Sequence, residues 1–104
     1  MHLIIQKALK DAAEKFPQHA LEILALGRVV SKGYFRTPEA LKGLFPSLGN
    51  FKYLDKHYVI DIGRNELRVI VMIFFDSQKF YVRQVFTHKE YDRFTAEHRG
   101  RGKR

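Results

Sequence analysis

Glu66-Leu-Arg-Val-Ile-Val-Met-Ile-Phe-Phe75, Asp76-Ser-Gln78 and Lys79-Phe-Tyr-Val-Arg-Gln-Val-Phe-Thr87 read as two strands around a tight turn, and Thr87-His-Lys-Glu-Tyr-Asp92 then opens a helix. Runs this dense in Val, Ile and Phe, separated by short polar segments, are β signals. Working back from them, Gly63-Arg64-Asn65 marks a turn and His57 to Ile62 the strand before it. Phe51 to Leu54 is expected as one more strand, joined to His57–Ile62 through an Asp55-Lys56 hairpin, with Pro46-Ser-Leu-Gly49-Asn50 as the turn ahead of it. Four successive strands with short connections predict an antiparallel meander.

Upstream the period changes from two to that of a helix. After a short first strand, His2 to Gln6, the residues Ala8, Leu9, Ala12, Ala13 and Phe16 recur at helical spacing until Pro17. Ala20, Leu21, Leu24, Val29 and Val30 form a second stripe, which Gly33 ends. Thr37 as N-cap and Pro38 as first helical residue open a third helix through Leu44. Amphipathic helices need an apolar face and a sheet needs a cover. The predicted fold class is therefore α+β, with N-terminal helices packed on one face of a twisted, mainly antiparallel sheet and a short C-terminal helix. Residues 1–98 form one domain, and 99–104 a basic tail too poor in apolar residues to pack.

Composition sets further bounds. The chain has 104 residues, 45% of them hydrophobic, enough for a single core. It has no cysteine, which excludes disulfides and thiolate metal sites and fits a reducing compartment. No apolar run approaches the roughly 18 residues of a membrane span. Met1-His-Leu-Ile-Ile-Gln-Lys7 turns polar too early for a signal peptide, so a cytoplasmic location is expected. The net charge is +8, and from Lys79 to Arg104 eight Lys/Arg face three Asp/Glu. Such a balance suits a nucleic acid or an acidic protein partner. The alternative is a domain that is merely basic.

Thr87 and Glu90 have capping-box spacing, and Phe86 with Tyr91 that of a hydrophobic staple. His88 then falls in the first helical turn, where backbone N–H groups attract phosphate. Tyr91 is either a staple or a proton carrier, and His88 either an exposed helix end or a base. Strand alternation puts Arg68 on the face of Ile70 and Met72, and places Tyr81, Arg83, Val85 and Thr87 on one face. Two arginines on adjacent strands suggest an uncovered basic end of the sheet, unless Arg68 pairs with Glu66 or Asp61. Lys56 and His57 add a further possible proton carrier. His2, His19 and His98 are given no role. No histidine spacing suits a metal and no glycine-rich phosphate loop is present. No cofactor is expected. Lys, Arg, His and Tyr without carboxylate pairs can still bind a phosphodiester and cleave RNA through its 2′-OH.

Phe45-Pro-Ser-Leu-Gly-Asn-Phe-Lys-Tyr-Leu-Asp-Lys-His-Tyr58, Asn65-Glu-Leu-Arg68 and Thr87-His-Lys-Glu-Tyr-Asp92, with Met1-His-Leu-Ile4 and Gln6-Lys-Ala-Leu-Lys-Asp-Ala-Ala13, together resemble the HigB toxins of type II toxin–antitoxin systems. Arg64 departs from the family pattern where a second glycine is expected, and Gly49 where an acidic residue is familiar. The resemblance implies a RelE-like fold and a metal-independent, ribosome-dependent endoribonuclease that cleaves mRNA and inhibits translation. It also implies a cognate HigA antitoxin with a helix-turn-helix, and contact with operator DNA only through the toxin–antitoxin complex. Carried over to this chain, Arg68 and Arg83 are the candidates for binding the phosphate or transition state. His88 and Tyr91 are the candidates for proton transfer, with His57 and Lys56 behind them. Lys56, Lys79, Lys89, Arg99 and Arg101 are expected to hold RNA, and Arg99, Arg101, Lys103 and Arg104 the ribosomal RNA in particular. The alternatives are a non-catalytic RNA- or ribosome-binding module and a protein-interaction subunit for an acidic partner.

Overall fold

The computed structural model describes residues 1–4, 6–64 and 66–102, with Gln6 and the last three through their backbone alone. The order is β1 (His2–Ile4), α1 (Gln6–Lys15), α2 (Ala20–Lys32), α3 (Pro38–Lys42), β2 (Gly49–Asn50), β3 (His57–Ile62), β4 (Leu67–Phe74), β5 (Lys79–Thr87) and α4 (His88–Gly102). A 3-10 turn, Pro17–His19, leads into α2. The five strands form one sheet in the order β1-β5-β4-β3-β2, with β1 parallel to β5 and every other pair antiparallel. The architecture is α+β, as the alternation of periods predicted.

Alternating residues of β3 and β4 explain the layering. Ile60, Ile62, Leu67, Val69, Val71 and Ile73 point to one face and join Leu9, Ala12, Ile23, Leu26 and Val30 of α1 and α2 in the main core. Burying such side chains is worth about 1.5–3 kcal/mol each. Gly27 lies inside α2, where glycine is ordinarily unfavourable. A Cβ there would stand 2.8 Å from Leu9 and 3.1 Å from Leu3, so the missing side chain is what lets α2 close on α1 and β1. A second, smaller core lies on the opposite face. Phe51, Val59 and Ile70 are buried there, with Tyr53, Leu54, Phe86, Tyr91 and Phe94 packed around them. The C-terminal helix thus covers part of the second face, and at 15 residues it is longer than expected, carrying 99–102 beyond the proposed domain end.

Two sequence expectations need correction. Phe51–Leu54 is not a strand: β2 is Gly49–Asn50, within the expected turn, and pairs with Tyr58 and Val59. Phe51 looked like a strand residue because it is apolar, but it is buried from a loop, beneath α4. The second concerns β5. Ile70 pairs with Gln84 while Val71 pairs with Val82, so Arg83 is an extra residue, a β-bulge. The bulge reverses the alternation. Tyr81 pairs with Met72, outside the main core, whereas Val85 pairs with Val69 and packs against that core. Tyr81 and Val85 therefore do not share a face.

Candidate active site

The second face of the sheet has a covered end and an uncovered one, and the expected site residues divide between them. At the uncovered end, His57 begins β3, opposite Met72 of β4, which in turn pairs with Tyr81 of β5. Tyr81 stacks edge-on against Phe74, with ring centres 5.7 Å apart. The Lys56 ammonium lies 5.8 Å from the centre of the Phe74 ring. Lys79 is exposed and pairs with Phe74, so it belongs to the same end.

His57 is 7% exposed, the one buried polar or charged side chain among the described residues. Its Nδ1 lies 2.7 Å from the Asp55 carbonyl oxygen. A carbonyl only accepts, so Nδ1 carries the proton and Nε2 presents a lone pair. The Arg83 guanidinium, exposed on the bulge, approaches that lone pair with Nη1 at 3.5 Å. The local backbone makes this possible. Lys56 takes a left-handed conformation, φ 60°, and its carbonyl accepts from Ile73 N–H at 3.0 Å, so the chain turns sharply into β3 just before His57. A buried imidazole with a fixed tautomer, beside an arginine free to engage an anion, can exchange a proton next to a bound phosphate.

The covered end holds Arg68 and Tyr91. Arg68 pairs across the strands with Asp61 and Phe86, four residues along β4 from Met72, or roughly 13 Å. Its buried Nε lies 3.5 Å from Asp61 Oδ1, close enough for attraction but without a directed hydrogen bond. The guanidinium carbon sits 4.7 Å from the centre of the Tyr91 ring, a cation–π geometry. Tyr91 itself packs edge-on against Phe51 at 6.2 Å. Arg68 and Tyr91 do come together, but as the lid of the second core.

The start of α4 carries its own anion. Thr87 N–H donates to Glu90 Oε1 at 2.9 Å and Glu90 N–H to Thr87 Oγ1 at 3.3 Å, the reciprocal capping box read from the spacing. Hydrogen bonding from the Thr87 backbone, aided by the Thr87 hydroxyl and Lys15, holds the Glu90 carboxyl below its ordinary value although burial opposes this. That carboxylate occupies the polarity a phosphate would need. His88 and Lys89 are exposed in the first turn of α4, next to Thr87 and the covered end, away from His57. The expected staple differs in detail: Phe86 pairs its ring with Phe94 at 5.2 Å, while Tyr91 turns to Phe51.

Arg99 is exposed on α4, close enough to the Tyr53 hydroxyl to help hold it below its ordinary value. The side chain of Arg101 lies outside the described residues, as do Lys103 and Arg104. Sequence reasoning gave no role to Lys52, Tyr53 or Tyr81. The first two were assigned to a strand, and the face of Tyr81 depends on a bulge that no sequence pattern signals. A groove of about 640 Å³ beside the edge strand is lined by Lys42 and Lys56 but also by Glu39 and Asp55, so its charges offset. Among the described residues no three His, Cys, Asp or Glu side chains could together hold a metal ion, and no helix is long and apolar enough to cross a membrane.

Helices on one face of a small mainly antiparallel sheet, with a basic uncovered end on the other, define a RelE-like domain, and comparison with known proteins makes the class specific. Residues 19–94 match the HigB toxin family, described as the RelE-like toxic component of a toxin–antitoxin system, and the chain belongs to that family. It is 68% identical over 104 residues to the mRNA interferase toxin HigB of Escherichia coli (strain K12), covering 100% of each chain. The mRNA interferase HigB of Shigella flexneri is similar to the same degree. That of Escherichia coli O6:H1 is 42% identical over 99 residues, covering 95% of this chain and 96% of the relative.

Proposed function

We propose that this chain is an endoribonuclease toxin that cleaves mRNA on the ribosome, at the uncovered end of its sheet. The names of its relatives support the substrate. The observation that carries the site is the contact between the bulge arginine, Arg83, and the buried imidazole of His57. Arg83 turns from His57 to the scissile phosphate, which frees Nε2 to take the proton of the ribose 2′-OH. The 2′ oxygen attacks phosphorus, the bond to the 5′ oxygen breaks, and the guanidinium offsets charge on the phosphoryl oxygens. The ammonium of Lys56, next in the chain to His57, protonates the departing 5′ oxygen. The products are a 2′,3′-cyclic phosphate and a 5′-hydroxyl, and no protein-bound metal takes part. Lys79 steers the backbone at this end, and Lys89 and Arg99 contact RNA farther out. Arg68 and Tyr91 act by holding α4 on the sheet.

Cleavage of a ribosome-programmed mRNA, read by primer extension, tests this. Arg83→Ala should lower kcat by about 10²-fold or more, and His57→Gln likewise, with circular dichroism checking that the latter folds. His88→Ala should cleave nearly as well as wild type. Retained cleavage in both Arg83→Ala and His57→Gln would move the site elsewhere. A wild-type protein that binds ribosomes but cuts nothing would leave a non-catalytic RNA-binding module. The partner on this reading is a HigA-type helix-turn-helix antitoxin, with operator DNA reached only through the complex, and the place of action is the cytoplasm. A neighbouring reading frame for such a protein, whose co-expression restores growth, checks the partner.

A further inference from the structure

The loop that delivers His57 also presents an aromatic ring between two cations. Phe51 anchors it, buried between Tyr91 and Phe94 at 6.2 and 5.4 Å. Phe51 N–H donates to the His57 carbonyl at 2.9 Å, and Leu54 N–H to the Phe51 carbonyl at 3.3 Å, which closes the loop on itself. Tyr53, two residues after the anchor, is left half-exposed. The Lys52 ammonium stands 5.2 Å from its ring centre, and Arg99 reaches its hydroxyl from α4. Burial pushes the Tyr53 hydroxyl up, but hydrogen bonds to Arg99 and Lys52 and their charges outweigh it and hold it below its ordinary value.

We propose that Tyr53, flanked by Lys52 and Arg99, is a stacking platform for an unpaired RNA base, with the two cations taking the phosphates on either side. An aromatic ring on a rigid loop is a sequence-tolerant surface for a nucleobase, and cations next to it follow the backbone. Lys52 is exposed, so its ammonium can leave the ring for a phosphate as a base moves in. The platform and His57 belong to one loop, so RNA held on Tyr53 is led toward the imidazole. Phe51 does not compete for this role, because it is 2% exposed. The inference rests on the RNA reading above but not on catalysis.

The unpaired base can come from mRNA or from ribosomal RNA, and two probes separate them. One is a fluorescein-labelled single-stranded 2′-O-methyl oligonucleotide, which cannot be cleaved; the other is vacant ribosomes, read by co-sedimentation. Tyr53→Ala should weaken binding about tenfold or more in at least one arm, while Tyr53→Phe stays within about twofold of wild type. Loss with the oligonucleotide assigns the base to mRNA, and loss with vacant ribosomes alone assigns it to ribosomal RNA. Loss in neither arm overturns the proposal. So does an equal loss in Tyr53→Phe, which would give the role to the hydroxyl beside Arg99. Weakened binding by Tyr53→Ala in a protein that cuts no mRNA would keep the platform and reject the nuclease.

Discussion

A buried imidazole between a carbonyl and a guanidinium differs from an exposed one in the first turn of a helix in what it can do with a proton. His57 has its tautomer set by Asp55 and its second nitrogen aimed at Arg83. His88 lies exposed in the first turn of α4. From sequence the two were ranked the other way, because a helix start is visible in the residue order and a buried imidazole is not. Arg68 and Tyr91 show a similar limit. The alternative pairing of Arg68 with Asp61 was legible, since it needed only strand register. Its placement over the Tyr91 ring needed the angle of α4, which spacing alone does not give. Arg68→Ala should therefore destabilise the fold by about 1 kcal/mol, through the lost cation–π contact and partly exposed ion pair. For a domain of this size the thermal midpoint should fall by about 4–8 °C. Cleavage per folded molecule should persist; a variant of wild-type stability that cannot cleave would return Arg68 to the chemistry.

Among the elements, β3, β5 and the capping box of α4 were readable because each depends on neighbours in the chain. β2 was not, because two residues owe their strand conformation to pairing with Tyr58 and Val59 alone. Thr87→Ala should cost about 1 kcal/mol by removing one half of the box, measured by urea denaturation. Glu90 adds a pH dependence. Its folded carboxyl titrates below the ordinary value of 4.5, so its stabilisation is present above that value and is lost as pH falls through the lower folded value. Acid unfolding curves of Glu90→Gln should therefore lack part of the wild-type decline below about pH 4.5. Gly27→Val should be among the more damaging changes in α2. Its first side-chain atom already meets Leu9 and Leu3, and overpacking typically costs about 1–3 kcal/mol.

The whole molecule carries a charge of +8, and its two faces serve different ends. Helices α1 and α2 seal one face, and the other is divided between the small core under α4 and the His57 end. If the basic surface meets RNA, affinity for ribosomes should fall linearly on a log–log plot against salt as counterions are released. Co-sedimentation from low to moderate ionic strength measures the slope, and a flat line would favour an acidic protein partner instead. Between the two parts of the second face β5 carries a single extra residue, Arg83. Deleting it would close β5 into one unbroken alternation in which Val82 and Val85 still face the main core and Gln84 and Phe86 the other side, so the insertion is absorbed without a change of register on either side. Two lengths of one strand are in this way phased independently. Substitutions at the Tyr81 end can retune what the protein binds without rotating the strand that carries α4, so the surface can diversify while the scaffold keeps its registration.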